Sequence, residues 1–155
     1  MINLAVLPEN ESLLDLIGFV CERYDIGAVY DSRLSDSTDI LILCGKAELS
    51  ALSSGTVIIA DTQSPQVIHG LMPFKNTVIG CSASPKDTLT LACRSRDKLV
   101  ACLRRTISTL SGLTVEPCEM SVIADEAVPL FAALAACAVL LLNGQAPPTK
   151  SWFFS

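Results

Sequence analysis

The sequence predicts an α/β fold: a mainly parallel sheet in three layers, a small antiparallel extension, and a buried C-terminal helix. Three observations lead there. Short apolar runs alternate with helical patterns through the first half of the chain, the rhythm of parallel strands and crossover helices. From Thr88 the alternation becomes period 2, as in a half-exposed antiparallel strand. Ala127 to Leu142 is then uncharged and strongly apolar. The order is Rossmann-like or P-loop-like, with one domain over residues 1–144 and a proline-containing apolar tail over 145–155.

Composition narrows the function classes. A chain of 155 residues with 50% hydrophobic and 17% charged side chains can bury a substantial core, or hide further surface in a partner, and is not disordered. A formal charge of -5 offers no footprint for nucleic acid or an anionic membrane surface. The seven cysteines are odd in number and form no Cys-x-x-Cys pair, which argues against a disulfide framework and a zinc site. Most lie in apolar runs as small hydrophobes, so a reducing, cytoplasmic setting is expected. Ala127 to Leu142 rises about 24 Å as a helix, short of a hydrocarbon core of about 30 Å. A buried helix is therefore expected. The N-terminal apolar run lacks a basic flank and is broken by Pro8, Glu9 and Glu11, unlike a signal peptide.

The elements follow in order. Ile2 to Leu7 reads as a strand covered on both faces. Leu13, Leu14, Ile17, Val20 and Cys21 recur at helical spacing, giving an amphipathic helix from Ser12 to about Tyr24. Strands are expected at Ala28–Tyr30, Ile40–Leu43, Thr56–Ala60 and Thr77–Cys81, with helical turns at Lys46–Leu52 and Gln66–Leu71. Thr88–Cys93 and Leu99–Leu103 flank a turn at Ser95-Arg96-Asp97. Ile107–Leu110 and Leu113–Val115 flank a hairpin turn at Ser111-Gly112, and Met120–Ile123 closes the antiparallel block. Asp125 to Leu142 is the longest helix, stopped by Asn143-Gly144.

Four stretches, Asp39–Gly45 (DILILCG), Thr56–Pro65 (TVIIADTQSP), Asn76–Asp87 (NTVIGCSASPKD) and Val128–Gly144 (VPLFAALAACAVLLLNG), stand in the order found in one known architecture. There the chain resembles the central ATP-binding domain of Mur ligases, which join amino acids to UDP-muramyl precursors of the cell wall. The resemblance implies a glycine-rich phosphate loop after the first strand, with a lysine that neutralises the phosphates. Aligned on Ser12 as the Mg²⁺-binding hydroxyl, the chain has Glu11 for the lysine, Asn10 for one glycine and Leu7 for the other. Asp61 matches the family's acidic strand end, whereas the further magnesium-holding glutamate and histidine have no counterpart. Ala124-Asp125-Glu126 replaces the glycine or histidine-asparagine pair that opens the alanine-rich helix. The resemblance therefore implies a degenerate relative without ATP binding or ligase activity.

The candidate ligand-binding residues are Glu9, Asn10, Glu11, Ser12, Asp61, Ser82 and Ser84, all at expected strand ends. Glu9, Glu11 and Asp61 can hold a hard cation if they converge, or act as solvated carboxylates favouring a helix dipole and a turn. No catalytic residue, metal site or cofactor is assigned. His69 reads as a partly exposed structural histidine, and Cys44 and Cys81 as the least core-like thiols. Trp152, Phe153 and Phe154 are candidate interface residues, because large rings left in water forfeit about 1.5–3 kcal/mol each. They should dock on the parent domain or on another subunit. The expected role is a non-catalytic binding or assembly module, as a homo-oligomer or with a protein partner. The alternative is an enzyme or sensor of a small polar metabolite using the loops near Asn10, Asp61 and Ser82.

Overall fold

The computed structural model describes residues 1–49 and 52–155. The chain, read from sequence as one domain over 1–144, divides into two compact units, Met1–Gly80 and Cys81–Ser155. The class is α/β and Rossmann-like.

In the first unit, strand β1 (Ile2–Leu7) is followed by helix α1 (Glu11–Arg23), then β2 (Ala28–Asp31), β3 (Ile40–Leu43), β4 (Val57–Asp61), helix α2 (Pro65–Leu71) and the start of β5 (Val78–Ser82). The strands stand in the order β5-β4-β3-β1-β2, and the β2-β1-β3-β4 pairings are parallel. The order reverses at β1 and β3, making the crevice at their carboxyl ends the topological switch point of a doubly wound sheet. Since α1 carries the chain one way across the sheet and α2 the other, right-handed crossovers place them on opposite faces. On the α2 face, Ala5, Leu41, Leu43, Ile58 and Ala60 form a buried cluster with Val67 of α2. Their alternating neighbours Leu4, Val6, Ile40, Ile42 and Ile59 are buried on the other face. This double coverage explains the unbroken apolar runs.

Capping sets where the helices begin. Asn10 Oδ1 accepts the Leu13 N–H at 3.1 Å, so α1 starts at Glu11. Ser64 caps α2 by accepting the Val67 N–H at 3.4 Å, with Pro65 in the first turn, where its missing N–H costs nothing. The helical turns expected over Lys46–Leu52 are absent at 46–49 and at 52, and positions 50 and 51 lie outside the described residues. Ala47, Leu49 and Leu52 instead pack as irregular chain against the α2-face cluster.

The second unit contains β6 (Leu89–Arg94), β7 (Lys98–Leu103), the small hairpin of β8 (Ile107–Ser108) and β9 (Thr114–Val115), β10 (Cys118–Ile123), α3 (Leu130–Leu142) and β11 (Trp152–Phe153). β6, β7 and β10 form an antiparallel meander, and β6 pairs in parallel with Cys81–Ser82. Gly112, at φ 90°, occupies the left-handed position that closes the hairpin. A bulge between Leu91 and Cys93 breaks the expected alternation, so Leu89 is buried and Cys93 is exposed. The tail adds a strand: β11 lies parallel to β10, and the Phe154 N–H donates to Ile123 O at 2.8 Å.

Helix α3 begins at Leu130, five residues later than expected, because Pro129 disfavours helical geometry at Val128 and so becomes the cap. Ala133 through Leu141 are wholly buried. No described helix is long and apolar enough to cross a membrane. The turn before α3 is held by Arg94, whose guanidinium donates to the carbonyls of Val128 (2.6 Å), Glu126 (3.2 Å) and Asp125 (3.3 Å). Replacing Arg94 by Met keeps the aliphatic stem but removes the donor to the part-buried Val128 carbonyl, while the Asp125 carbonyl keeps the Val128 N–H. Urea unfolding should show a loss of about 1–2 kcal/mol, with only partial recovery in Arg94→Lys.

Candidate functional site

At the switch point the chain segments that follow β1 and β3 contact each other. The Cys44 N–H donates to Leu7 O at 2.9 Å, extending the β1–β3 pairing past the strand ends. Pro8 then lies over Gly45, where a Cβ would come within 3.2 and 3.3 Å of the proline Cγ and Cδ. That approach is tighter than most Cβ contacts, so a side chain at position 45 would have to push the proline ring back by a few tenths of an ångström. The thiol of Cys44 points to Pro8 O (3.4 Å) and Leu7 O (3.5 Å) and also hydrogen-bonds the Asn10 side chain.

Asn10, Cys44 and Asp61 thus come together at the carboxyl ends of β1, β3 and β4. Burial pushes the Cys44 thiol up, more than its hydrogen bonds lower it, and the nearby Asp61 charge adds to the rise. A thiol kept protonated in this way is a weak donor and a poor nucleophile. Burial likewise raises the Asp61 carboxyl, partly offset by the Gln63 N–H that donates to its Oδ1 at 3.1 Å.

The α1 N-terminus, where a phosphate would bind, is filled by Asn10. Its Oδ1 accepts both the Leu13 N–H and the Ser12 hydroxyl at 3.1 Å. Glu9 and Glu11 are exposed and, with Leu14, line an open hollow of about 450 Å³. Its charge suits the helix dipole and opposes a polyphosphate. Glu9, Glu11 and Asp61 do not assemble into a cation site: among the described residues no three His, Cys, Asp or Glu side chains gather in a metal-holding group.

Ser82 and Ser84 belong to the second unit, where they knit their own loop. The Ser82 hydroxyl donates to Asp87 and accepts the Ser84 N–H at 3.0 Å, while the Ser84 hydroxyl accepts the Lys86 N–H at 3.2 Å. Arg105 donates to Lys86 O at 2.6 Å and fastens the same loop to the end of β7. Trp152 and Phe154 dock on their own chain, both buried and stacked with centroids 6.4 Å apart, and Phe153 is 43% exposed. Cys81 is wholly buried, not a strand-end thiol open to reagents, and Cys44 is partly covered. Sequence reading missed Cys44 as the centre of the strand-end cluster, because its partners Asn10 and Asp61 are brought there only by the parallel pairing. Its place directly after a strand was the available signal.

No family model matches the chain, and no curated protein matches it in sequence.

Two outcomes follow. Because burial raises the Asp61 pKa in the fold, its protonated form contributes stability at acid pH that is lost as pH rises through the folded value. Asp61→Asn keeps an oxygen for the Gln63 N–H and removes that loss. The variant should be at least as stable as the parent at neutral pH, with a flatter pH dependence of urea unfolding. In timed alkylation followed by peptide mass mapping, exposed Cys93 should be modified first, partly covered Cys44 more slowly, and buried Cys21, Cys81 and Cys137 only as the fold opens.

Proposed function

We propose that this chain is a degenerate Mur-ligase-like domain that works without ATP as a non-catalytic binding or assembly module. The observation carrying the reading is the closed switch point: Pro8 against Gly45, Asn10 capping α1, and carboxylates where a phosphate loop would place a cation. Each of these opposes nucleotide binding by a different means. Pro8 takes space, Asn10 takes a helix-terminal N–H, and Glu9 and Glu11 repel.

The association surface fits the outer edge of the first unit. β2 pairs with β1 and has Val29 and Tyr30 each 40% exposed, with Phe19 of α1 at 42%. Tyr30 is also held by a hydrogen bond to Cys21, which gives the edge a fixed ring. An uncovered strand edge carrying apolar side chains is a ready surface for pairing with a second copy. In the resting protein the module is a homo-oligomer, and Trp152 and Phe154 stabilise the subunit while Phe153 is available outside.

The gathering of Asn10, Cys44 and Asp61 favours the second reading, a small polar metabolite at the strand ends. A thermal shift caused by such a metabolite and abolished in Asp61→Ala would establish it. The main reading is tested by calorimetry with Mg²⁺-ATP and by sedimentation velocity. We expect no heat of nucleotide binding, an oligomer in the parent, and weakened association in the double variant Val29→Lys, Tyr30→Lys. Micromolar nucleotide binding, or a monomer at every concentration, would overturn it.

A further inference from the structure

We propose that the cleft between the Lys46–Ala47 segment and α2 binds a small anionic molecule with an apolar body. The cleft holds about 360 Å³ and is lined by Lys46, Ala47, Pro65, Gln66, His69 and Gly70. That volume lies within the range of small-molecule sites, which are mostly apolar with a few polar groups that fix orientation. It shares no lining residue with the Asn10, Cys44 and Asp61 cluster and does not depend on the nucleotide loop.

The charge of the lining selects the ligand. The chain has 16 acidic residues against 11 lysines and arginines, yet no carboxylate lines this cleft, and Lys46 and the sole histidine, His69, do. Gln66 adds polarity of the same sense. Its Oε1 accepts the Ser64 hydroxyl at 3.1 Å, so the amide NH₂ is its remaining donor end. The Lys46 ammonium, an imidazole N–H and an amide donor match a carboxylate or phosphate oxygen. The apolar body is set by the walls. Ala47 packs on the buried cluster of the α2 face, and Pro65 and Gly70 present no polar side-chain atom. The cleft also lies beside the segment that follows β3.

Gly70 supplies the means of testing this. A Cβ built there would meet nothing within 4 Å, so a larger side chain enters open space without displacing structure. The experiment is an NMR titration of the ¹⁵N-labelled full chain with benzoate, with benzylamine as a cation of similar size and orthophosphate as the anion without an apolar body. Benzoate should give saturable shifts centred on Gln66, His69 and Gly70. Benzylamine and phosphate should bind at least several-fold more weakly. Lys46→Gln should weaken benzoate by about threefold, the scale of a solvent-exposed charge contact, and Gly70→Leu should abolish the shifts while the spectrum stays dispersed. Equal response to benzylamine, shifts scattered over the surface, or unchanged benzoate affinity in Lys46→Gln would overturn the proposal. Should Gly70→Leu not fold, the Lys46→Gln affinity decides alone.

Discussion

The first unit depends on the contact of Pro8 with Gly45 across the ends of β1 and β3. Ligands of doubly wound sheets enter where the winding reverses, since there the two crossover connections leave in opposite directions and open a crevice. Here the crevice is closed from both sides. The Cys44 N–H continues the sheet ladder to Leu7 O, and the glycine at 45 lets the proline ring settle where any side chain would be crowded.

Closure by shape alone would leave the backbone donors of α1 unsatisfied, and Asn10 answers that need. Its side-chain oxygen takes the Leu13 N–H, a contact whose loss typically costs about 1 kcal/mol. The same residue touches the Cys44 thiol, so cap and closure are one structure. Glu9 and Glu11 then lie in the field of the helix terminus. A lysine at position 11 would cancel the charge of Glu9 instead of doubling it, so the residue types here argue against an anion independently of the missing glycines.

Much of this architecture was legible in the chain. Strands covered on both faces must be apolar throughout, so β1, β3 and β4 stood out, and α1 announced itself through Leu13, Ile17, Val20 and Cys21 at helical spacing. What was not legible came from tertiary context. Ala47, Leu49 and Leu52 are apolar because they cover the α2-face cluster, not because they share a helical stripe. Cys93 left the buried face through a bulge that no periodicity records. The sequence grouped Asn10 with Asp61 at the strand ends, yet did not join Cys44 to them. Asn10, Cys44 and Asp61 lie on three segments joined by parallel pairing, whereas Ser82, the last residue of β5, and Ser84 hold a turn of the second unit.

The position of Cys44 shows why a thiol suits this closure. The group must sit partly buried between backbone carbonyls, an amide side chain and a carboxylate whose own ionisation is already opposed by burial. A charged side chain there would need a counter-charge in a region of reduced solvation. A neutral sulfhydryl fills the volume, makes weak hydrogen bonds and adds no charge. Burial and the neighbouring Asp61 both hold it in that form. Burial and the Asp61 charge therefore oppose a stabilised thiolate, the chemistry that makes cysteine reactive elsewhere, by more than the hydrogen bonds around the thiol favour it.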